Sequence, residues 1–442
     1  MSWTPTRLRF VADLNPPVRA DLLSEPDREV SFLPMEAVGE DGSLNLERTR
    51  SVDGVRTGYS YFEDGDVAVA KVTPCFENGK GAIMRALTGG AGFGSSELTV
   101  LRPRQGVDAR FLRYFLASAK FMTDATGAMT GAGGLRRVPD WFIRDYPAQW
   151  PDSTMQTRIA NFLDDKTARI DALIAEKERL RKAVQEHEQA VASDLLARGV
   201  QRHRLLPTGK EFVPEAPENW KVVPLKRALV RLNQGWSPQC ESRPAESGEW
   251  GVLKVGCVNG TRFNAAENKA LPASLEPDLS CLLFKGDVLV SRANTRELVG
   301  KAALVDDEYP NLLLCDKLYR LTLRPEWVLP EFVVAVLRSD SSRRQIELGA
   351  SGASSSMQNI SQDVIRELVV ALPPVSEQRE IVAQLGDMRN ANAALLQHVD
   401  EHVARLREYR SSLISAAVTG QLDLGAYKAA SVPDLASELV ES

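Results

Sequence analysis

The sequence contains little cysteine and histidine and has no long apolar run. Its 442 residues include five cysteines, none of them in a C-x-x-C pair, and four histidines. An odd number of unpaired cysteines argues against a disulfide framework and a cysteine-rich zinc site, so we interpret them as small buried residues. No apolar stretch approaches the ~20 residues that span a membrane, and the N-terminus lacks the apolar segment of a signal peptide. We therefore expect a cytoplasmic protein.

Positive charge is also in deficit. There are 54 lysines and arginines against 59 aspartates and glutamates, which gives a formal net charge of −5. A chain of this kind is not basic over its whole surface. If it binds nucleic acid, its lysines and arginines must be concentrated locally, or a more basic partner must share the binding. The length suggests two or three domains.

The sequence is an internal duplication. Gly65-Asp66-Val67 and Gly286-Asp287-Val288 lie 221 residues apart, and so do Gly79-Lys80 and Gly300-Lys301. Three longer pairs keep an offset of 221 or 222: "VDARFLRYFLAS" with "VLPEFVVAVLRS", "GAMTGAGGLRRV" with "GASGASSSMQNI", and "PDSTMQTRI" with "PPVSEQREI". Two copies in one chain indicate pseudo-twofold symmetry, the single-chain analogue of a symmetric dimer.

Each copy consists of a mixed region followed by a long helix. Short β-branched runs such as "DVAVAKV" and "DVLVSRA" alternate with turn residues, which predicts strands. Proline precedes both predicted long helices, which run from about Ser153 to Ala197 and from about Ser376 to Val418. In both helices seam residues recur at spacings of three and four, the pattern of a coiled coil. The predicted seams are Leu163, Lys166, Ile170, Leu173, Lys177, Leu180, Val184, His187, Val191 and Leu195, and Leu385, Met388, Asn392, Leu395, Val399, His402, Leu406, Tyr409, Leu413 and Ala417.

The predicted fold class is α/β (α+β). Two similar mixed α/β domains are separated by two long helices that form an antiparallel coiled coil, all related by an internal pseudo-twofold duplication. The alternative is that each helix packs separately on its own domain. The predicted segments are 1–149 for the first domain, 150–200 for the first helix, 201–371 for the second domain, 372–422 for the second helix and 423–442 for a tail.

Three motifs, together with the doubled layout, carry a resemblance to a known family. They are "LPPVSEQREIVAQL" (Leu372 to Leu385), "REYRSSLISAAVTGQLDL" (Arg407 to Leu424) and "GDVLVSRANTRELVGKAALV" (Gly286 to Val305). Over nearly its whole length the sequence resembles the specificity subunit of a Type I restriction–modification system. The first copy departs from the family pattern, because Asp-Ser-Thr-Met (Asp152 to Met155) stands where a Pro-Val-Ser-Glu type of sequence is usual.

The resemblance implies a non-catalytic subunit that recognises double-stranded DNA. Each mixed region would be a target-recognition domain that reads one half of a split sequence, and the paired helices would set the gap. Two modification subunits would bind the helices and methylate adenine N6, with S-adenosylmethionine bound in those partners and no cofactor in this chain. Restriction and translocase subunits can join such a complex. The alternative is a coiled-coil scaffold of a related defence complex that does not itself read sequence.

Two loops in each copy combine side chains suited to DNA. Arginine and lysine fit the major-groove edge of guanine, and asparagine and glutamine fit adenine, whereas phosphate contacts only position a protein. The first loop carries Lys71, Thr73, Asn78 and Lys80, and its repeat carries Arg292, Asn294, Thr295, Arg296 and Lys301. The second loop carries Arg136 and Arg137, and its repeat carries Ser356, Gln358 and Asn359. Trp236 is a weaker candidate. The alternative for the first loop is a solvated hairpin tip, and for the second loop it is a flexible linker into the next strand. Trp236 could equally be a packing residue.

Other motifs do not add up to a catalytic or metal site. "NPPV" (Asn15 to Val18) has valine where an amino-methyltransferase needs an aromatic residue to stack on a flipped base. "HVDEH" (His398 to His402) matches a zinc-peptidase pattern but lies in a predicted coiled-coil helix. Gly79-Lys80 and Gly300-Lys301 lack the upstream glycine of a phosphate-binding loop.

Overall fold

The structure is a computed structural model that describes residues 3–132, 134–354 and 357–424. The described chain divides into two compact units. Unit 1 contains residues 3–179 and 399–424, and unit 2 is the continuous segment Leu180–His398. Most of the predicted tail lies outside the described residues, and the domain boundaries drawn from the sequence stay a prediction.

The first half of the chain contains twelve described strands and six described α-helices. The strands are β1 (Trp3–Arg7), β2 (Ala12–Leu14), β3 (Glu29–Leu33), β4 (Thr49–Ser51), β5 (Ser60–Glu63), β6 (Val67–Ala70), β7 (Gly81–Ile83), β8 (Ala91–Gly94), β9 (Leu98–Pro103), β10 (Thr130–Ala132), β11 (Leu135–Arg137) and β12 (Pro147–Pro151). The helices are α1 (Ala20–Leu23), α2 (Val52–Val55), α3 (Ala109–Leu116), α4 (Ala119–Gly127), α5 (Asp140–Asp145) and α6 (Ser153–Arg198).

The second half of the described chain repeats most of this series after an added hairpin, β13–β14, but without described α-helices in place of α1 and α2. The strands are β13 (Leu205–Lys210), β14 (Val213–Pro217), β15 (Lys221–Pro224), β16 (Leu229–Gln234), β17 (Gly251–Leu253), β18 (Asn268–Ala270), β19 (Val288–Ser291), β20 (Ala293–Asn294), β21 (Ala302–Leu304), β22 (Leu312–Leu313), β23 (Leu318–Leu323), β24 (Ser351–Ser354), β25 (Met357–Asn359) and β26 (Val369–Leu372). The helices are α7 (Pro330–Arg338), α8 (Asp340–Gly349), α9 (Gln362–Arg366) and α10 (Val375–Val418).

Both units contain the same four-stranded sheet. Its strand order is β2-β9-β6-β7 in unit 1 and β16-β23-β19-β21 in unit 2. The strand that follows each Gly-Asp pair, β6 or β19, is buried on both faces, as its continuous run of small and β-branched residues predicts. Alternate residues of that strand belong to different apolar clusters: Val67 packs toward the helices and Ala68 toward a second sheet.

The second sheet is repeated less completely. In unit 1 its order is β4-β3-β8-β5, with β3 and β8 parallel. In unit 2 the order is β18-β17-β22, again with one parallel pair, and a single bridge between Leu282 and Leu313 replaces the fourth strand. The duplication inferred from the offset is therefore present in sheet topology, and the predicted mixed α/β fold class is confirmed.

The two long helices predicted from the sequence are present. Helix α6 has 46 residues and α10 has 44. In unit 1 Arg410 pairs with Asp171 at 2.9 Å and Arg407 pairs with Glu178 at 3.0 Å. Higher numbers on α6 thus meet lower numbers on α10, and the helix segments run antiparallel. In unit 2 the amide of Asn392 donates to Glu188 at 3.1 Å, which continues the same antiparallel register.

The predicted seam was wrong at every second position over much of both helices. Leu173 and His187 on α6 are exposed, whereas the next residue after each is partly buried. On α10, His402 and Tyr409 are exposed, and Val403 and Arg410 turn inward instead. Seam residues that alternate three and then four apart, or four and then three apart, both repeat every seven residues. The helices use the second order, because it buries Val403 and pairs Arg410 with Asp171.

Among the described residues, no helix has the length and apolar character needed to cross a membrane.

Twin buried glutamines attach the start of each long helix to its unit. Gln156 accepts from the Asp108 N–H at 2.9 Å and donates to the Pro151 carbonyl at 2.9 Å. Its repeat, Gln378, accepts from the Leu329 N–H at 2.9 Å, and donates to the carbonyls of Trp327 at 2.8 Å and Pro373 at 2.9 Å. Both side chains are almost fully buried. The helices are therefore fixed to the loop that precedes a short helix in each unit.

Each long helix ends in a glycine that packs against a tryptophan. Gly199 follows α6 with φ +68°, and a Cβ there would lie 2.9 Å from the Trp220 ring and would also meet Glu377. Gly420 follows α10 with φ +74°, and its Cβ would lie 2.7 Å from the Trp3 ring. Only glycine combines the left-handed conformation with this close approach.

We predict that Gly199→Ala will lower the free energy of unfolding by about 2–3 kcal/mol, from left-handed strain plus crowding against Trp220. Urea unfolding followed by tryptophan fluorescence measures the loss. Gly248→Ala is the matched control, because Gly248 has φ +88° and a Cβ there would meet no atom of the described residues within 4 Å. That control should show the strain alone, about 1–2 kcal/mol. Equal losses in the two variants would contradict the packing argument.

Candidate nucleic-acid interface

The first predicted loop of each copy follows the central strand of its sheet. In unit 1 the Ala70 N–H donates to the Lys80 carbonyl at 2.9 Å and closes the loop. In unit 2 the Ser291 N–H donates to the Lys301 carbonyl at 2.8 Å. The loops 71–80 and 292–301 thus have the same backbone closure, although most of their side chains differ.

The second predicted loop of each copy is a hairpin that packs beside the first. In unit 1 it is β10–β11, joined to the first loop by the Val138 N–H donating to the Lys71 carbonyl at 2.8 Å. In unit 2 it is β24–β25, joined by the Ile360 N–H donating to the Arg292 carbonyl at 3.0 Å. Strand β20 adds to the edge of β25, so the sheet order there is β20-β25-β24. The structure therefore brings the two predicted loops of each unit together.

In unit 1 the candidate arginines are exposed and paired with glutamates. Arg136 reaches Glu77 at 3.3 Å, and Arg137 forms a bidentate pair with Glu97 whose shortest distance is 2.6 Å. The Arg137 hydrogen bond lowers the pKa of Glu97 below its usual value. Exposed ion pairs of this kind contribute little to stability. Both guanidinium groups can therefore exchange a glutamate for a base edge or a phosphate.

The other candidates of unit 1 have mixed surroundings. Thr73, on the first loop, contacts the second: its hydroxyl donates to the Arg136 carbonyl at 3.3 Å. Asn78 is exposed and donates to Glu40 at 2.9 Å. The Lys80 ammonium donates to the Met35 carbonyl at 3.1 Å, so this side chain is held by another segment of unit 1. Lys71 is half-buried and lies close enough to lower the pKa of Glu97.

In unit 2 the candidates lie on both sides of the junction between the two loops. Ala293 pairs with Asn359 and Asn294 pairs with Gln358, so three of the predicted residues share one strand pair. The Asn294 amide donates to Asn259 at 3.0 Å, and its oxygen accepts from the Thr295 N–H at 2.9 Å. The predicted residue Ser356 lies outside the described residues.

The remaining candidates of unit 2 separate by exposure. Arg296 is exposed and Arg292 is half-buried. Lys301 lines a cleft of about 260 Å³ with Arg338 and Arg389. Burial lowers the pKa of Lys301, and the charge of Arg338 lowers it further. Trp236 is half-buried and packs against the apolar cluster of the second sheet, and its backbone N–H donates to the Leu314 carbonyl at 3.0 Å. DNA contact by any of these residues stays a prediction.

Two half-buried arginines that the sequence analysis missed donate to backbone carbonyls within or next to the first loops. In unit 1 Arg113 on α3 donates to the carbonyls of Gly81 at 3.0 Å and Gly79 at 3.1 Å. Burial lowers its pKa to about 10, so it remains charged at neutral pH. In unit 2 Arg338 on α7 donates to the Ala302 carbonyl at 2.8 Å and to two carbonyls of a neighbouring loop, those of Thr261 and Gly260.

These two anchors left one faint indication in the sequence. Each is an arginine on a short helix rich in buried apolar residues, where a charge close to the core is unexpected. They do not occupy equivalent positions, because the 221-residue offset aligns Arg113 with Val334. Comparison of the two copies therefore did not reveal them.

The motifs set aside in the sequence analysis have structural roles. The Asn15 side chain accepts from the Val100 N–H and donates to Asp140, each at 3.0 Å. His398 contacts the Ala394 carbonyl of its own helix. Within the described ranges, no group of three or more histidine, cysteine or acidic side chains could hold a metal ion. Of the cysteines, Cys257, Cys281 and Cys315 are buried as expected, whereas Cys75 and Cys240 are only partly so.

Sequence comparison places the chain beside one class of protein. It is 29% identical over 462 residues to the Type I restriction enzyme EcoEI specificity subunit of Escherichia coli, covering 87% of this chain and 77% of that protein. It is 34% identical over 221 residues to the EcoAI specificity subunit of Escherichia coli, covering 49% and 35%. The EcoKI specificity subunit of Escherichia coli K12 is 28% identical over 342 residues, covering 76% and 70%. No family model matches the sequence.

Comparison with solved structures supports the same fold. A chain from a study of complex assembly and conformational transition of the type I R-M system superimposes with a TM-score of 0.72 at 19% identity, covering 95% of this chain and 98% of that one. The crystal structure of the HsdS subunit from Thermoanaerobacter tengcongensis gives 0.51 at 19% identity, covering 95% and 97%. The resemblance inferred from the sequence motifs is confirmed by these relatives.

Proposed function

We infer that this chain is a specificity subunit of a Type I restriction–modification system, and that each unit reads one half of a bipartite DNA target. The observation that carries this function is the repeated loop pair. In both units a loop closed by the same backbone hydrogen bond lies against a hairpin held by the same second bond. A shared backbone allows the two units to contact the DNA phosphates in the same way, and different side chains allow them to read different bases.

The side chains at matched positions support different half-sites. Arg136 and Arg137 of the first hairpin correspond to Gln358 and Asn359 of the second. Arginine pairs its two donors with guanine, whereas glutamine and asparagine pair a donor and an acceptor with adenine. The first half-site is therefore expected to present guanine at a position where the second presents adenine.

We assign the long helices to spacing and assembly. On this proposal the paired α6 and α10 set the gap between half-sites and provide the surface for two modification subunits. Methylation of adenine N6 takes place in those partners, which hold the S-adenosylmethionine, and this chain binds no cofactor. Restriction and translocase subunits complete the complex where cleavage occurs. The chain itself is non-catalytic and acts in the cytoplasm, where the DNA and its partners are.

The proposal is tested by altering one hairpin or loop at a time in a host that carries the complete system. Methylome sequencing should show that Arg136→Ala relaxes or changes one half of the methylated motif, and that Arg292→Ala affects only the other half. Loss of one base contact costs about 1–3 kcal/mol, a change of roughly 5- to 150-fold in site preference.

The control is Arg144→Ala, which removes an exposed arginine of unit 1 that lies outside both loops. Its motif should equal that of the wild type. An unchanged motif in both Arg136→Ala and Arg292→Ala, with methylation intact, would support instead a scaffold that does not read sequence.

A further inference from the structure

Each hairpin presents one exposed apolar side chain at the same place. Leu135 is the first residue of β11 and is 56% exposed; Met357 is the first residue of β25 and is 48% exposed. They pair with Ala132 and Ser354 across the hairpin, and two residues separate the strands in both cases. Within the described part of each unit, neither side chain belongs to an apolar cluster.

A single exposed leucine is ordinary on a protein surface. The informative observation is the recurrence. The hairpin sequences have diverged from Leu-Arg-Arg to Met-Gln-Asn, which changes charge and hydrogen-bonding capacity at two positions, yet the first remains a large flexible apolar residue. Because each hairpin packs beside the loop that carries the other candidate base readers, this position lies within the proposed DNA-reading surface.

A second matched feature fixes the geometry of the apolar residue. Gly131 and Gly352 lie on the opposite strands, one sequence position out of step because β24 has a register irregularity between Ser351 and Ser354, and a Cβ at either would collide with a carbonyl oxygen, that of Leu135 or that of Met357. The strand that bears the apolar residue is therefore pressed against its partner, because glycine offers no side chain to hold the two apart. The result is a closely packed hairpin, β10–β11 or β24–β25, with an apolar residue next to its tip; in unit 2, strand β20 extends the outer edge of β25.

The major groove of duplex DNA admits a two-stranded β-ribbon, and the apolar feature on its floor is the 5-methyl group of thymine. Side chains two apart on a strand share a face, so Leu135 lies on the face of Arg137, and Met357 on the face of Asn359. We propose that Leu135 and Met357 each contact the methyl group of a thymine in the half-site that its unit reads. This inference rests on the proposed function and adds a specificity-determining residue to each half.

The test compares thymine with deoxyuridine, which lacks only the methyl group. The full chain is assembled with its modification subunits and titrated with duplexes that carry the motif found by methylome sequencing. Each thymine is replaced in turn, and each half-site has one because adenine is the methylated base. The wild type should lose about three- to fivefold in affinity at one thymine or more in each half-site, as expected for the loss of one buried methyl group. Leu135→Ala should abolish that discrimination in the first half-site only, and Met357→Ala in the second only.

Two variants act as matched controls. Leu23→Ala in unit 1 and Leu279→Ala in unit 2 remove exposed leucines, 45% and 62% accessible, from outside the hairpins. Both should keep full thymine discrimination. If Leu135→Ala and Met357→Ala retain it too while binding the unmodified motif, the thymine contact is refuted and the proposed function stands. If the wild-type complex prefers no bipartite motif at all, the proposed function itself fails.

Discussion

Gln378→Ala will lower the free energy of unfolding of unit 2 by about 2–4 kcal/mol. The substitution leaves the Leu329 N–H and the carbonyls of Trp327 and Pro373 without their partner in the interior, and it opens a cavity. Together these effects predict a loss of stability at the upper end of the range for single substitutions. Thermal and urea unfolding, monitored by the far-ultraviolet circular dichroism of the full chain, measure it.

The control for this prediction lies on the same helix. Gln384 is exposed, so Gln384→Ala should change stability by no more than about 0.5 kcal/mol. The repeat offers a second check, since Gln156→Ala should destabilise unit 1 through the equivalent bonds. Equal stability of Gln378→Ala and Gln384→Ala would show that the buried glutamine does not fix α10 to its unit.

Adding one heptad to both long helices will lengthen the gap in the methylated motif by about three base pairs. Seven residues extend a helix by about 10.5 Å, and one base pair along a DNA strand is about 3.4 Å. The insertions go after Lys182 in α6 and after Gln397 in α10, so that the heptad phase of the seam is kept on both sides. Methylome sequencing reads out the new gap.

Two companion variants define the outcome of this experiment. Seven residues inserted after Gly248, in an exposed loop of unit 2, should leave the gap unchanged. A heptad in α6 alone should abolish methylation, because the ion pairs Arg410–Asp171 and Arg407–Glu178 lose their register with the rest of the seam. An unaltered gap after the double insertion would show that the helices do not set the spacing.

The fold could be predicted from the sequence because duplication supplies its own internal control. A strand inferred from "DVAVAKV" gains support when "DVLVSRA" lies 221 residues later, and both became the buried centre of a four-stranded sheet. The seam phase was harder. His402 and Val403 fit heptads one residue apart, and the choice between them depends on a partner helix distant in sequence, where Asp171 receives Arg410.

The candidate site could be predicted only in part. The two loops of each copy were identified separately, but their adjacency depends on backbone bonds such as Val138 to Lys71, which no local pattern encodes. The anchors Arg113 and Arg338 were missed because each copy evolved its own solution from a different turn of the short helix. Their partners are backbone carbonyls, which leave no trace in side-chain identity.

The make-up of the two units sets an order for biosynthesis. Unit 2 is one continuous stretch, Leu180–His398, whereas unit 1 combines residues 3–179 with residues 399–424. During translation all residues of unit 2 are therefore synthesised before unit 1 is complete, because unit 1 also requires the last part of α10. A nonsense mutation shortly after residue 398 would thus leave unit 2 whole and deprive unit 1 of the segment of α10 that packs in its core. Translation through the last part of α10 is in this way the condition for an intact unit 1.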